Sequence, residues 1–581
     1  MRSHLDTHTC MPYLAAPDDR KFLSGIYGAI PDGFAEPLMH RYNAIHKKDG
    51  RRAANLYALE LSDLFPAHKL NYAAEESEIE ILAPKKAKTA RERIASASNP
   101  GEAVTRLERL AQRYGISMPH CNEPGQIIAR MSSVRWWKRA LRKRFRNCES
   151  SAIQAGLVHS RAGCYVSDVA HNRRQSQIRR NARLLENLEA INDAGDVFSV
   201  AELASTNVSN PVNRFAELMT RIKGCEEYAK HKSYDCIFLT LTTPSRMHAR
   251  LSGSMQPNPR YDGTPPRHAQ NYLSKKVWAR AQAKLDREGI QYLGVRVAEP
   301  HHDGTPHWHM LVFVQPHHKN QFISIVRSYS LRESPDEPGA QEHRFKHEQI
   351  DPTRGSAAGY IIKYISKNLT GANVGEDFEA GSDAESTAPR VETWASLWGI
   401  RQFQFFGTPS ITPYRELRRL TSLPSNLSPH LEMLREAADQ GDWCSFILLQ
   451  EEMSERLKPL WETQQSATYP SESTKRIRGV RGSCNQGEFN VITRQTDWVI
   501  RVKGSDSQGN EQPNFSSTGC RISPPWTCVN NSTPPGFKGF QPNRGAREEK
   551  NSDFGEAGIF TPERMMPTVR SQWASGQVGN G

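Results

Sequence analysis

Nowhere in this chain do apolar residues run to the roughly 20 needed to cross a bilayer, and residues 1–14 lack the apolar core of a secretory signal. A cytosolic setting is the resulting expectation. The ten cysteines contain no Cys-x-x-Cys spacing and form no paired framework, which argues for reduced thiols. Cys121, Cys148 and Cys164, with His120, His159 and His171 nearby, are therefore read as thiols of core or surface rather than zinc ligands. A Gly-x-x-x-x-Gly-Lys-Ser/Thr loop is missing too, so no nucleoside-triphosphate motor is expected. Acidic residues are in the minority, 63 against 76 lysines and arginines. The net charge of +13 favours a polyanionic partner such as nucleic acid.

What is present divides the chain into four. At 581 residues there is room for two or three domains. Residues 1–233 read as a basic, mostly helical region, with helical apolar spacing at 34–64 and 103–114 and a polar Lys/Ala/Ser stretch around 85–99 between them. Two basic segments follow, 135–146 and 173–183. Arg135, Lys138, Arg139, Arg142 and Lys143 in the first, and Arg173 and Arg174 in the second, suit helices lying along a phosphate backbone. A solvated basic face has the same pattern.

From Tyr234 strands set in, at 236–244, 292–299, 307–314, 344–350 and 400–406, with helices at 269–288 and 321–329 between them. Helices interleaved with strands joined by hairpins predict an α+β domain over 234–420, a central antiparallel β-sheet packed by helices. Residues 375–386 read as a polar, acidic loop. Residues 421–463 read as helical, and 464–581, rich in Ser, Gly, Pro, Asn and Gln, as a largely disordered tail.

Two features within the α+β domain carry chemistry. His307 and His309 are two apart on a strand and so share a face. Glu299, at the end of the partner strand, completes a two-histidine, one-carboxylate set that holds a divalent cation and leaves positions open for phosphate oxygens. His301, His302 and Asp303 are weaker candidates for the third ligand. The second feature is a helix from Ser356, a suitable N-cap, towards Gly371. At about 100° per residue it places Ala358, Ile361, Ile362, Ile365 and Leu369 on one face and Tyr360, Lys363, Tyr364 and Lys367 on the other. Phenols at i and i+4 stack about 6 Å apart along the axis, as two nucleophiles offered to a phosphate would. A phenol of pKa about 10 costs roughly 4 kcal/mol to ionise at neutral pH. One preorganised electrostatic partner is worth about 3–4 kcal/mol, which is the role Lys363 or Lys367 suits.

With these residues in place a resemblance follows. His307-Trp-His309 resembles the HUH motif of rolling-circle replication initiators, and Tyr360-Ile-Ile-Lys-Tyr364 their twin-tyrosine motif. Phe238-Leu-Thr-Leu-Thr242 resembles their first strand. Asp303-Gly-Thr-Pro-His307, Gly355-Ser-Ala-Ala-Gly359 and Trp398-Gly-Ile-Arg-Gln-Phe403 make the chain similar to the gene A replication proteins of temperate tailed phages. That resemblance implies an HUH-type antiparallel sheet and a site- and strand-specific endonuclease that nicks the phage origin DNA. Tyr360 and Tyr364 would be the nucleophiles, His307 and His309 the ligands of Mg²⁺ or Mn²⁺, and the second tyrosine would rejoin the strand. A host replicative helicase is the implied partner, and the bacterial cytoplasm the implied location. A relaxase or transposase of the same chemistry, a non-catalytic origin-binding protein with a structural metal, and a metallohydrolase using water are the competing readings.

Overall fold

Strong β-formers at 235–241, 292–300 and 306–314 form the middle of a five-stranded sheet: β1 (Asp235–Leu241), β2 (Tyr292–Pro300), β3 (Pro306–Val314), β4 (Phe345–Gln349) and β5 (Phe403–Phe406). This is a computed structural model; it describes residues 11–31, 33–65, 76–350, 355–371, 376–377, 382–423, 427–465, 473–484 and 487–504. The strand order is β4-β1-β3-β2-β5 and every pairing is antiparallel. All nine residues of β3 are buried, because helices cover both faces.

The alternation of the strands decides which face carries the site. Val295, Val297, Leu311, Phe313 and Phe238 point to one side, where they meet Ala358, Ile361 and Ile365 of the tyrosine helix (Ala357–Leu369). Ile237, Leu239, Trp308, Met310 and Val312 point to the other, against a helical segment whose middle, Tyr272–Trp278, is a π-turn, and against the helix Ala384–Trp398. His307 and His309 have the parity of Leu311 and Phe313, so they lie on the tyrosine-helix side. Gly294 marks how closely the sheet is packed. A Cβ there would lie 2.1 Å from the Leu311 carbonyl oxygen and 2.9 Å from the Phe406 ring. Gly294→Ala is expected to lower stability by about 1–3 kcal/mol, read as a lower urea midpoint at unchanged m-value.

The region before the sheet has its own core, built among the described residues mainly by six helices from Arg20–Tyr27 to Val134–Gln154. One expectation is corrected here. The stretch around 85–99 is not merely a polar spacer: most of it lies in the helix Glu76–Ala95, which buries Ile79, Ala83, Ala87 and Ala90, a stripe too small to stand out against its lysines. Two short strands, Leu188–Asn192 and Val197–Ser199, stand within this mostly helical region.

The end of the chain departs further from expectation. Helices stop at Trp443–Glu451, and residues 455–463, expected to be helical, open the strand Glu455–Gln465. Ser473–Cys484 and Gly487–Ile492 complete a three-stranded sheet with it, and Trp498–Val502 pairs with Leu188–Asn192. The expected disorder from 464 is therefore wrong for 473–484 and 487–502. Val480 and Val491 join the core of the central sheet. Their apolar signal is thinned by arginines that are internally paired, such as Arg476 with Glu462 and Asp497. Residues 505–581 lie outside the described residues. Among the described residues no helix is long and apolar enough to cross a membrane.

Candidate metal centre and tyrosine helix

The β2–β3 register places Glu299 directly opposite His307, with His309 two residues further along β3. All three side chains are buried, and their ligand atoms lie within 4.8 Å of one another. His307 Nε2 is 3.0 Å from His309 Nε2, and the Glu299 Oε2 is 3.9 and 3.8 Å from them. This is the one such group of three among the described residues, and the weaker candidates His301, His302 and Asp303 are not in it. Burial, His301, His309 and Lys367 together hold the His307 imidazole well below the usual histidine range, so it is neutral and offers a lone pair. The Thr240 hydroxyl lies 3.1 Å from His309 Nδ1, which leaves Nε2 facing the centre. Two imidazoles converging on one buried carboxylate fit a divalent cation.

A buried carboxylate needs partners, and Asn368 provides one that sequence reasoning missed. Its Nδ2 donates to Glu299 Oε1 at 2.5 Å, and its Oδ1 accepts from Gln402 Nε2 at 3.0 Å. The only sequence signal was a polar residue one turn beyond Tyr364. Asn368→Ala is expected to weaken Mn²⁺ binding about 10–100-fold with the fold retained, measured by isothermal titration.

The tyrosine helix corrects part of its predicted partition. Ser356 caps it as expected, accepting from Gly359 N at 3.1 Å. Ile362, assigned to the core face, is 38% exposed. Lys367, assigned to the open face, is buried: its Nζ lies 2.9 Å from Asp377 Oδ1 and 3.8 Å from Glu299 Oε2. Asp377 is itself held by the Tyr165 hydroxyl (2.6 Å) and the Thr387 hydroxyl (2.9 Å). The cause lies outside the helix, in a buried acid from the stretch read as a polar loop. Lys363 is exposed.

The two tyrosines are not equivalent. The Tyr364 ring stacks on His309 with centroids 3.9 Å apart and on Phe238 at 5.4 Å. Burial first, then the Glu299 and Glu348 carboxylates, hold its phenol above the usual range, so the hydroxyl is the resting form. Tyr360 sits one turn earlier, half-buried against the same core.

Of the basic candidates, Lys138 is paired with Glu80, Arg142 with Glu76 and Glu80, Arg173 with Glu76, and Arg174 with Glu392. Arg135, Arg139 and Lys143 are exposed. The basic helices are thus partly committed to ion pairs within the fold.

The histidines also set a stability profile. Burial holds both His248 and His307 below the usual range, whereas the unfolded chain takes up these protons near pH 6.5. Their contribution is complete above about pH 6.5 and is lost as pH falls below it, by up to about 1.4 kcal/mol per pH unit for each. Urea midpoints of metal-free protein should drop steadily between about pH 6.5 and pH 5.

Comparison with known proteins gives a consistent picture. The family model described as bacteriophage replication gene A protein (GPA) matches residues 70–372. The chain is 36% identical over 442 residues to the replication gene A protein of Escherichia phage 186, covering 72% of this chain and 62% of that protein. To the replication protein of Haemophilus phage HP1 it is 34% identical over 453 residues, 75% of this chain and 56% of the relative. To a probable replication endonuclease from a prophage-like region of Salmonella paratyphi A it is 31% identical over 428 residues, 70% and 52% respectively. The chain thus spans less than two thirds of these relatives' own length. No solved structure matches it.

Proposed function

Because the chain belongs to the bacteriophage replication gene A protein family, we propose that it is a metal-dependent DNA endonuclease with the HUH fold that starts rolling-circle replication by nicking one strand of the phage origin in the host cytoplasm. The observation that carries this reading is the stack of Tyr364 on His309, a phenol in contact with a member of the only candidate metal group among the described residues. Glu299, His307 and His309 would hold the ion, and oxygen and imidazole donors suit Mg²⁺ or Mn²⁺. Bound there, it would supply Lewis-acid polarisation of the scissile phosphate.

The chain's own residues account for the rest. The Tyr364 hydroxyl attacks phosphorus; the Tyr Oη–P bond forms as the P–O3′ bond breaks, and the phenolic proton ends on the departing 3′ oxygen. A 5′-phosphotyrosine ester and a free 3′-hydroxyl primer result. One ester replaces another, so the step is reversible. Tyr360, one turn away on a rigid helix, is placed to attack the regenerated origin, after which the freed 3′-hydroxyl rejoins the displaced strand at Tyr364. Lys363, exposed beside the tyrosines, meets the DNA backbone, while Lys367 balances the Glu299 charge. Unwinding falls to a host helicase.

The test is direct. The protein is incubated with Mn²⁺ and labelled single-stranded oligonucleotides covering its replicon, and any covalent adduct is mapped by mass spectrometry. An adduct on Tyr364 or Tyr360 is expected. Cleavage without an adduct would transfer the chemistry to an activated water; binding without cleavage would leave a non-catalytic origin-binding protein.

A further inference from the structure

A cleft of about 250 Å³ lies among the helices Val134–Gln154, Asp168–Glu186 and Ala384–Trp398, away from the metal centre. Arg142, Arg146, Arg173 and Arg174 line it, and Glu76 is the only carboxylate on its walls. Glu76 pairs with Arg142 and Arg173, and Arg174 pairs with Glu392. Arg146 has no carboxylate partner among the described residues. Burial, and then the guanidiniums of Arg267 and Arg142, hold it below the ordinary arginine range. A half-buried cation beside two others is unfavourable until an anion completes the cluster.

The anion that suits such a cluster is a phosphodiester, which accepts several guanidinium hydrogen bonds at once. The helix Ala384–Trp398 also connects the cleft to the loop between the candidate ligands. Thr393, Ser396 and Leu397 form part of its wall. On the same helix Trp394 Nε1 donates to the Gly304 carbonyl at 2.7 Å, in the loop between Glu299 and His307. We propose that this cleft seats a backbone phosphate of the single-stranded DNA flanking the cleaved linkage, with Arg146 as the anchoring cation. The assignment rests on the DNA-nicking reading above.

The test uses the full chain, a fluorescein-labelled oligothymidylate and a salt series in EDTA, read by fluorescence anisotropy. Arg146→Gln is expected to weaken binding about tenfold and to reduce the slope of log K against log salt by about 0.7, the value for one lost single-strand phosphate contact. Arg146→Lys should keep the slope. Ser396 is exposed, so Ser396→Glu adds an anion to the cleft without disturbing the core and should produce a similar loss. Wild-type affinity and slope in both Arg146→Gln and Ser396→Glu would overturn the proposal. Wild-type protein that binds the oligonucleotide with the expected Arg146 dependence but forms no adduct with Mn²⁺ would overturn the nicking reading and keep the cleft as a phosphate seat. A wild-type chain that does not bind the oligonucleotide would overturn both.

Discussion

Tyr364→Phe is expected to lower the first nicking step by about 100-fold, leaving a residue carried by Tyr360 from one turn away. A misplacement of only about 1 Å from a near-attack position already costs about that much. Tyr360→Phe should leave the first nick nearly intact and instead block transfer of a second 5′ end. The double variant should form no adduct at all. The asymmetry follows from contact: Tyr364 stacks on His309, while Tyr360, one turn earlier, is half-buried against the core. Single-turnover cleavage of a suicide oligonucleotide reads the first effect, and a strand-transfer assay with a second labelled oligonucleotide reads the other. Equal loss in both single variants would mean that the phenols exchange places freely.

Glu299→Gln is expected to weaken Mn²⁺ binding by at least about 100-fold, more than the loss of its supporting asparagine. The change keeps shape but removes the negative charge between two imidazoles, leaving two neutral donors and an amide. In wild-type protein, Mn²⁺ at about 100 times its dissociation constant should stabilise the fold by about 2.7 kcal/mol. In the variant the same concentration should leave the melting temperature near its EDTA value. A metal-induced shift of wild-type size in Glu299→Gln would remove that residue from the ligand set and redirect attention to His301 and Asp303.

Legibility in the sequence followed local periodicity. The alternation at 307–313 located the histidines and their face, the hairpin brought Glu299 to them, and the i, i+4 tyrosines were readable from helical spacing alone. What was not readable depends on contacts distant in sequence. Lys367 is turned inward by Asp377, an acid whose burial depends on Tyr165 more than 200 residues earlier. Asn368 gains its role only when the helix end meets Glu299 and Gln402. The strands beyond 454 were hidden because a short, arginine-rich alternation with few apolar residues reads as coil until its carboxylate partners and the central core are known.

The pairing of Leu188–Asn192 with Trp498–Val502 has a consequence for biogenesis. The earlier strand leaves the ribosome some three hundred residues before its mate, with only the short Val197–Ser199 hairpin arm beside it. Until Trp498–Val502 has been made it presents an unsatisfied backbone edge, the kind of surface that recruits chaperones or a neighbouring nascent chain. Translation stalled before Trp498 should therefore release a product that aggregates, even though the five-stranded sheet within it is whole.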